Sequence, residues 1–197
     1  MDYFLIGERH GTNECPHAFL ELVKQFKPAS IALEIPKQYQ ADIDAGKHAH
    51  IPFFNQQEHD GRGSAAMQQL ITALLDRELH IHCVDTDTAE TAAERDAEMA
   101  RNILALPIPV MYLCGNVHAL LKPITLFGEH LIPCGSHLPR ERTKNCTIET
   151  LNGGTFYNFQ VQHIPPSEYT GMPNELLPLN DEHFDYAYFV EWFTPSQ

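Results

Sequence analysis

Four short apolar runs recur along the first two thirds of the chain: Tyr3-Phe4-Leu5-Ile6, Ser30-Ile31-Ala32-Leu33-Glu34-Ile35, Leu79-His80-Ile81-His82-Cys83-Val84 and the segment 108–114. Each reads as a buried strand, and the stretches between them carry helical periodicity. Pro16 opens a helix whose apolar residues are Phe19, Leu20, Val23 and Phe26. Met67, Leu70, Ile71, Leu74 and Leu75 mark a second helix over 64–77. Asp87, with Glu90 three residues on, fits a capping box at the start of a third that runs to about Leu106. Alternation of this kind predicts an α/β fold, a mainly parallel sheet with flanking helices and right-handed crossovers.

The last third changes character. Thr147 to Leu151 and Thr155 to His163 are strand-like runs on either side of Asn152-Gly153-Gly154, a hairpin signal, and Tyr186-Ala187-Tyr188-Phe189-Val190 is a final strand. The C-terminal third, 146–197, is expected to add antiparallel strands to the same sheet, so that 1–197 forms one domain. The segment 46–63 has no clear period and is expected to be an insertion over the sheet edge. Phe53 and Phe54 within it are either a lid or substrate wall, or a small cluster packed on itself.

The balance of 26 acidic residues against 13 Lys and Arg gives a formal charge of -13, which repels nucleic-acid backbones and anionic lipid surfaces. A small-molecule or peptide substrate is therefore expected, with no nucleic acid and no membrane. The first strand leaves no room for a signal peptide before it, and a cytoplasmic location is expected. The five cysteines are far apart and suggest neither a zinc ribbon nor a disulfide framework. Cys83 and Cys114 read as core residues; Cys15, near the first strand end, is the one with a candidate chemical role.

Polar residues follow all four strands. Gly7-Glu8-Arg9-His10 comes after the first, Glu34 ends the second, Asp85 and Asp87 follow the third, and Gly115-Asn116-Val117-His118 follows the fourth. In a parallel sheet those ends share one edge, the edge on which open α/β proteins place their ligands. The two Gly-x-x-His turns can then face each other across a crevice that also holds carboxylates, a composition suited to a divalent metal or to general-base activation of water. Glu34 in a nearly apolar strand requires a cation, a hydrogen-bond donor or solvent. Arg95 borders the apolar stripe of its helix; it pairs with Glu34 or Glu8, polarises a substrate oxygen, or lays its aliphatic stem over the core.

Taken together, Gly7-Glu8-Arg9-His10-Gly11-Thr12, Ala32-Leu33-Glu34, Arg95-Asp96-x-x-Met99-Ala100 and Gly115-Asn116-Val117-His118-Ala119 resemble the superfamily of erythromycin esterases, ChaN-like haem-uptake proteins, TraB and the Tiki metalloproteases. The resemblance covers residues 3 to 120, and Leu121 stands where some members carry a further histidine. It implies a catalytic set of Glu8, His10, Glu34, Arg95 and His118. In metal-dependent members, His10, Glu34 and His118 would be the ligands of Mn, Co or Zn. It also implies the two leading functions. One is hydrolysis of an ester- or amide-like substrate by metal- or histidine-activated water. The other is haem or iron binding, with Tyr39, Phe53 and Phe54 over the porphyrin and a homodimer around it; a catalytically inactive interaction domain is the third reading.

Overall fold

The apolar runs become β1 (Tyr3–Glu8), β2 (Ser30–Pro36), β3 (Ile81–Asp85) and β4 (Val110–Gly115). The computed structural model describes residues 1–56, 59–126 and 128–197. Downstream lie β5 (Ile124–Leu126), β6 (Glu129–Leu131), β7 (Thr143–Thr150), β8 (Gly154–Asn158), β9 (Gln160–Ile164), β10 (Leu176–Pro178) and β11 (Tyr186–Val190). Among the described residues one sheet has seven strands in the order β10-β11-β7-β1-β4-β2-β3. All its neighbours are parallel except β10 on β11. β5 with β6 and β8 with β9 form separate antiparallel pairs.

Alternation along the strands sorts the core into two layers. Ile6, Ile31, Leu33, Leu113 and Ile148 pack under α1 (Glu14–Phe26) and α3 (Ala65–Leu75). Leu5, Ala32, Val84 and Tyr112 pack under α4 (Ala92–Leu104) through Met99, Ala100 and Ile103. Each buried Leu or Ile contributes about 1.5–3 kcal/mol. Because Ala32 faces α4, Glu34 two residues on faces it too. No helix among the described residues is long and apolar enough to cross a membrane.

Three expectations need correction. The capping box of α4 is Thr91 with Glu94, not Asp87 with Glu90: Thr91 Oγ1 accepts from the Glu94 N–H (3.2 Å), and Glu94 Oε2 accepts from the Thr91 N–H (3.2 Å). Asp87 instead accepts from Gln38 Nε2 (2.7 Å). Asn152-Gly153-Gly154 does not join a hairpin. β7 stays in the main sheet between β1 and β11, both parallel to it, and the hairpin is β8–β9 with Phe159 at its tip. The third correction concerns the segment 46–63, of which residues 57 and 58 lie outside the described residues. It does not pack only on itself: Ile51 and Phe54 are buried in the α1–α3 layer.

The free edge of β3 is closed by a side chain. Gln40, at the start of α2 (Gln40–Asp44), donates from Nε2 to the Ile81 carbonyl (2.8 Å) and accepts at Oε1 from the Cys83 N–H (2.7 Å). One primary amide thus occupies the place a neighbouring peptide group would take.

Candidate active site

Register brings the strand ends together. Glu8 lies opposite Gly115, and Leu33 opposite Leu113, so Glu34 reaches the point where β4 turns away. β4 sits between β1 and β2 although it follows both in sequence. The crevice above such a change of strand order is the usual ligand position of an open α/β sheet.

Glu34 is the hub. It is 5 % exposed, and its Oε2 accepts from the Gly115 N–H (2.8 Å). Its Oε1 accepts from Arg95 Nη2 (2.5 Å) and lies 3.5 Å from Arg62 Nη1. Both imidazoles meet this carboxylate, His10 Nε2 at 3.6 Å from Oε2 and His118 Nε2 at 3.6 Å from Oε1. Burial alone would raise the pKa of Glu34, but the two histidines, Arg95 and Arg62 outweigh it and hold the carboxyl well below its usual range. Glu34 is a fixed anion and therefore a poor base.

Each histidine has a carboxylate behind it. His10 Nδ1–H donates to Glu8 Oε1 (2.9 Å), and His118 Nδ1–H donates to Asp96 Oδ1 (2.7 Å). Asp96 is buried and also accepts from the Cys134 N–H (2.6 Å). Burial disfavours the charge on both imidazoles. For His10, Glu34 and then Glu8 overcome it; for His118, Glu34 and Asp96 do so against the opposing Arg95, and both pKa values are raised. The two rings differ at Nε2. That of neutral His118 accepts from Arg95 Nη1 (3.2 Å), whereas that of His10 has no hydrogen-bond partner among the described residues.

Arg95 does reach Glu34, and it makes a second, bidentate contact. Its Nε and Nη2 donate to Asp85 Oδ1 and Oδ2, each at 2.7 Å. Asp85 also accepts from Arg62 Nη1 (2.9 Å), and Arg62 Nε donates to Asp60 (2.7 Å). With every nitrogen engaged, Arg95 orients the carboxylates and His118.

The structure thus brings together all five residues singled out from the sequence: Glu8, His10, Glu34, Arg95 and His118. It adds Asp85, Asp96 and Arg62. Asp85 had been noted as a strand-end carboxylate, while Asp96 and Arg62 had no assigned role. A signal for Asp96 existed: with Met99, Ala100 and Ile103 it falls on the buried stripe of α4, so a carboxylate there needs a partner. Arg62, in an aperiodic loop, carried none. Cys15 is fully buried and its thiol is pushed up by burial, so it packs and does not react. His163 and His183 are exposed.

Two glycines make the crevice possible. A Cβ on Gly115 would stand 2.8 Å from His10 Nε2, and one on Gly11, at φ +71, would run into the Tyr157 carbonyl oxygen at 1.9 Å. A cleft of about 400 Å³ opens beside the hub, lined by Arg62, Asp85 and Arg95 and by Tyr39, Phe53 and Phe159. A larger groove of about 670 Å³, around Trp192 on the α1–α3 side, lies apart from these groups. Among the described residues no three His, Cys, Asp or Glu side chains are arranged to hold a metal ion.

The class so defined is an α/β protein with two carboxylate-backed histidines at the crevice of a mainly parallel sheet. The solved structures agree on the fold. A succinoglycan biosynthesis protein superimposes with a TM-score of 0.69 at 11% identity, over 99% of this chain and 88% of that one. A variant of the erythromycin esterase EreC in its open conformation gives 0.64 at 10% identity, over 99% and 91%. A Bacillus cereus protein gives 0.62 at 8% identity, over 100% and 90%. The chain has an erythromycin esterase-like fold. No family model matches it, and no curated protein matches it by sequence.

Proposed function

We propose that the chain is a hydrolase that adds water to an ester- or amide-like carbonyl, with His10 as general base and no resident metal or haem. The observation that carries this reading is the difference between the two imidazoles. Both have Nδ1 fixed by a carboxylate, but among the described residues only His10 keeps Nε2 free of a donor. His10 Nε2 takes a proton from water as the water oxygen attacks the carbonyl carbon. Glu8 and Glu34 stabilise the imidazolium that forms, and the same proton then passes to the leaving alkoxide or amine. Arg62, which lines the cleft and has Nη2 uncommitted among the described residues, is placed to meet the carbonyl oxygen as it gains charge. The likeness to an erythromycin esterase supports a hydrolase on grounds of fold alone.

The donor set does not fit the divalent metal that the resemblance implies. Both Glu34 oxygens already accept hydrogen bonds, and Arg95 donates to the His118 nitrogen that a metal would need. A cation there would sit against a guanidinium. Nor does the setting suit haem: the cleft wall carries Arg62, Asp85 and Arg95, and Phe54 is committed to the core.

The test is turnover of a panel of activated esters, amides and peptides with and without chelator. Chelator-indifferent hydrolysis, lost by a factor of roughly 10² to 10⁴ in His10→Ala, is the expected outcome. Hydrolysis that needs added Mn, Co or Zn would refute the metal-free reading. Inactivity throughout, with a Soret band on haem addition, would refute the hydrolase.

A further inference from the structure

Phe159 meets two costs that a hairpin tip ordinarily avoids. It is 61 % exposed, and its backbone stands at φ +56, the left-handed region that a bulky residue rarely adopts. Glycine or asparagine would suit both solvent and backbone better. A backbone held in such a state at the rim of a cleft asks for a functional reason.

The surroundings hold its backbone in place. The Phe159 N–H donates to the His59 carbonyl (2.8 Å), the buried His59 ring lies 4.9 Å from that of Tyr157, and its Nδ1 accepts from the Gly61 N–H (3.0 Å). The Tyr157 N–H in turn donates to Gly11 (2.9 Å), one residue after His10. The hairpin tip is therefore tied both to the loop that delivers Arg62 and to the turn that delivers the general base. Tyr39 and Phe53, with ring centroids 6.2 Å apart, line the same cleft, so three aromatic rings border it. The charge there is unbalanced. Among the described residues, three carboxylates, Asp60, Asp85 and Asp87, line the cleft against the two guanidinium groups of Arg62 and Arg95.

From this juxtaposition of a strained, exposed Phe159 with Tyr39 and Phe53 in a carboxylate-rich cleft, we propose that the three rings are the substrate-binding wall of the site. Its substrates are then small esters with a planar aromatic body and no negative charge. The proposal rests on the hydrolase reading for the word ester, and on the cleft itself for the rest. A ring between Phe159 and the Tyr39–Phe53 pair gains offset or edge-on contact that an alkyl group of equal length cannot make. An added carboxylate would be repelled by those of the cleft.

The experiment compares phenyl acetate, ethyl acetate and 4-carboxyphenyl acetate as substrates, and follows binding of 1-naphthylmethanol, which has no bond to hydrolyse, by saturation-transfer NMR. The parent is expected to discriminate against the carboxylate; phenyl acetate has the better leaving group in any case, so the wall is read from the change in the phenyl-to-ethyl ratio on substitution. Phe159→Gly is expected to reduce the phenyl-to-ethyl ratio of kcat/KM about tenfold, mainly through KM, and to weaken naphthylmethanol binding similarly, with no fall in Tm because the backbone strain is relieved. An unchanged ratio and unchanged binding in Phe159→Gly, or equal use of the anionic ester, would overturn the proposal while leaving the hydrolase intact. No turnover by the parent, with naphthylmethanol binding that depends on Phe159, would overturn the hydrolase and leave the aromatic wall.

Discussion

Arg95 bridges two buried carboxylates of the site, Glu34 and Asp85. Its guanidinium is shared between Glu34 and Asp85, which are 5 % and 1 % exposed, and a buried carboxylate left without its cation is far costlier than the pair was favourable. Arg95→Met removes the charge but keeps much of the stem. It is expected to destabilise the fold by about 3–5 kcal/mol, measured by denaturant unfolding, and to raise the pKa of Glu34. This places Arg95 in the architecture as much as in the chemistry. His10 is of a different kind: partly open to solvent, with Nε2 uncommitted among the described residues, it contributes function at small structural cost. The Arg95–Glu34 pairing was readable from an arginine beside an apolar stripe and a glutamate in an apolar strand. The Asp85 contact was not, because Asp85 and Asp87 are both polar strand-end residues and nothing in their order says which turns inward.

At the scale of elements, what sequence revealed was the set of strand ends. Parallel strands align their carboxyl ends on one edge, so four polar strand ends place a site without further information. Helix starts were less legible: Asp87 with Glu90 and Thr91 with Glu94 both have the spacing of a capping box, and only the turn geometry chooses between them. The parallel pairing of β7 with β1 and β11 was hidden for a related reason, since a Gly-Gly turn fits a local hairpin as well as an exit from the sheet. The end of β4 gives the sharpest test of how these elements meet. Gly115→Ala puts a methyl against His10 Nε2 at the point where the β4 backbone also feeds Glu34 its hydrogen bond. A displacement of about 1 Å at the base is expected to lower kcat roughly 10²-fold, while circular dichroism and Tm change little.

Over the whole molecule, the raised histidine pKa values tie stability to pH in one direction and catalysis in the other. His10 and His118 titrate above 6.5 in the folded chain, so their contribution to stability is complete below pH 6.5 and is lost as pH rises through the folded values. Glu34, depressed from 4.5, contributes fully above pH 4.5 and loses that contribution only as pH falls through its folded value. From these groups Tm is expected to be greatest between pH 4.5 and 6.5. Hydrolysis, which needs neutral His10, should instead rise as pH increases above 6.5. A scan of Tm and of kcat/KM over pH 4 to 9 checks both, and the alkaline decline in Tm should flatten in His10→Gln. The Gln40 amide acts at the same scale in another way. A sheet with a bare outer strand is a template on which other chains can grow, and its backbone groups invite fibres as readily as partners. By answering the donor of Cys83 and the acceptor of Ile81 with one side chain, the molecule ends its own sheet there and withholds from its neighbours the place where the next strand would begin.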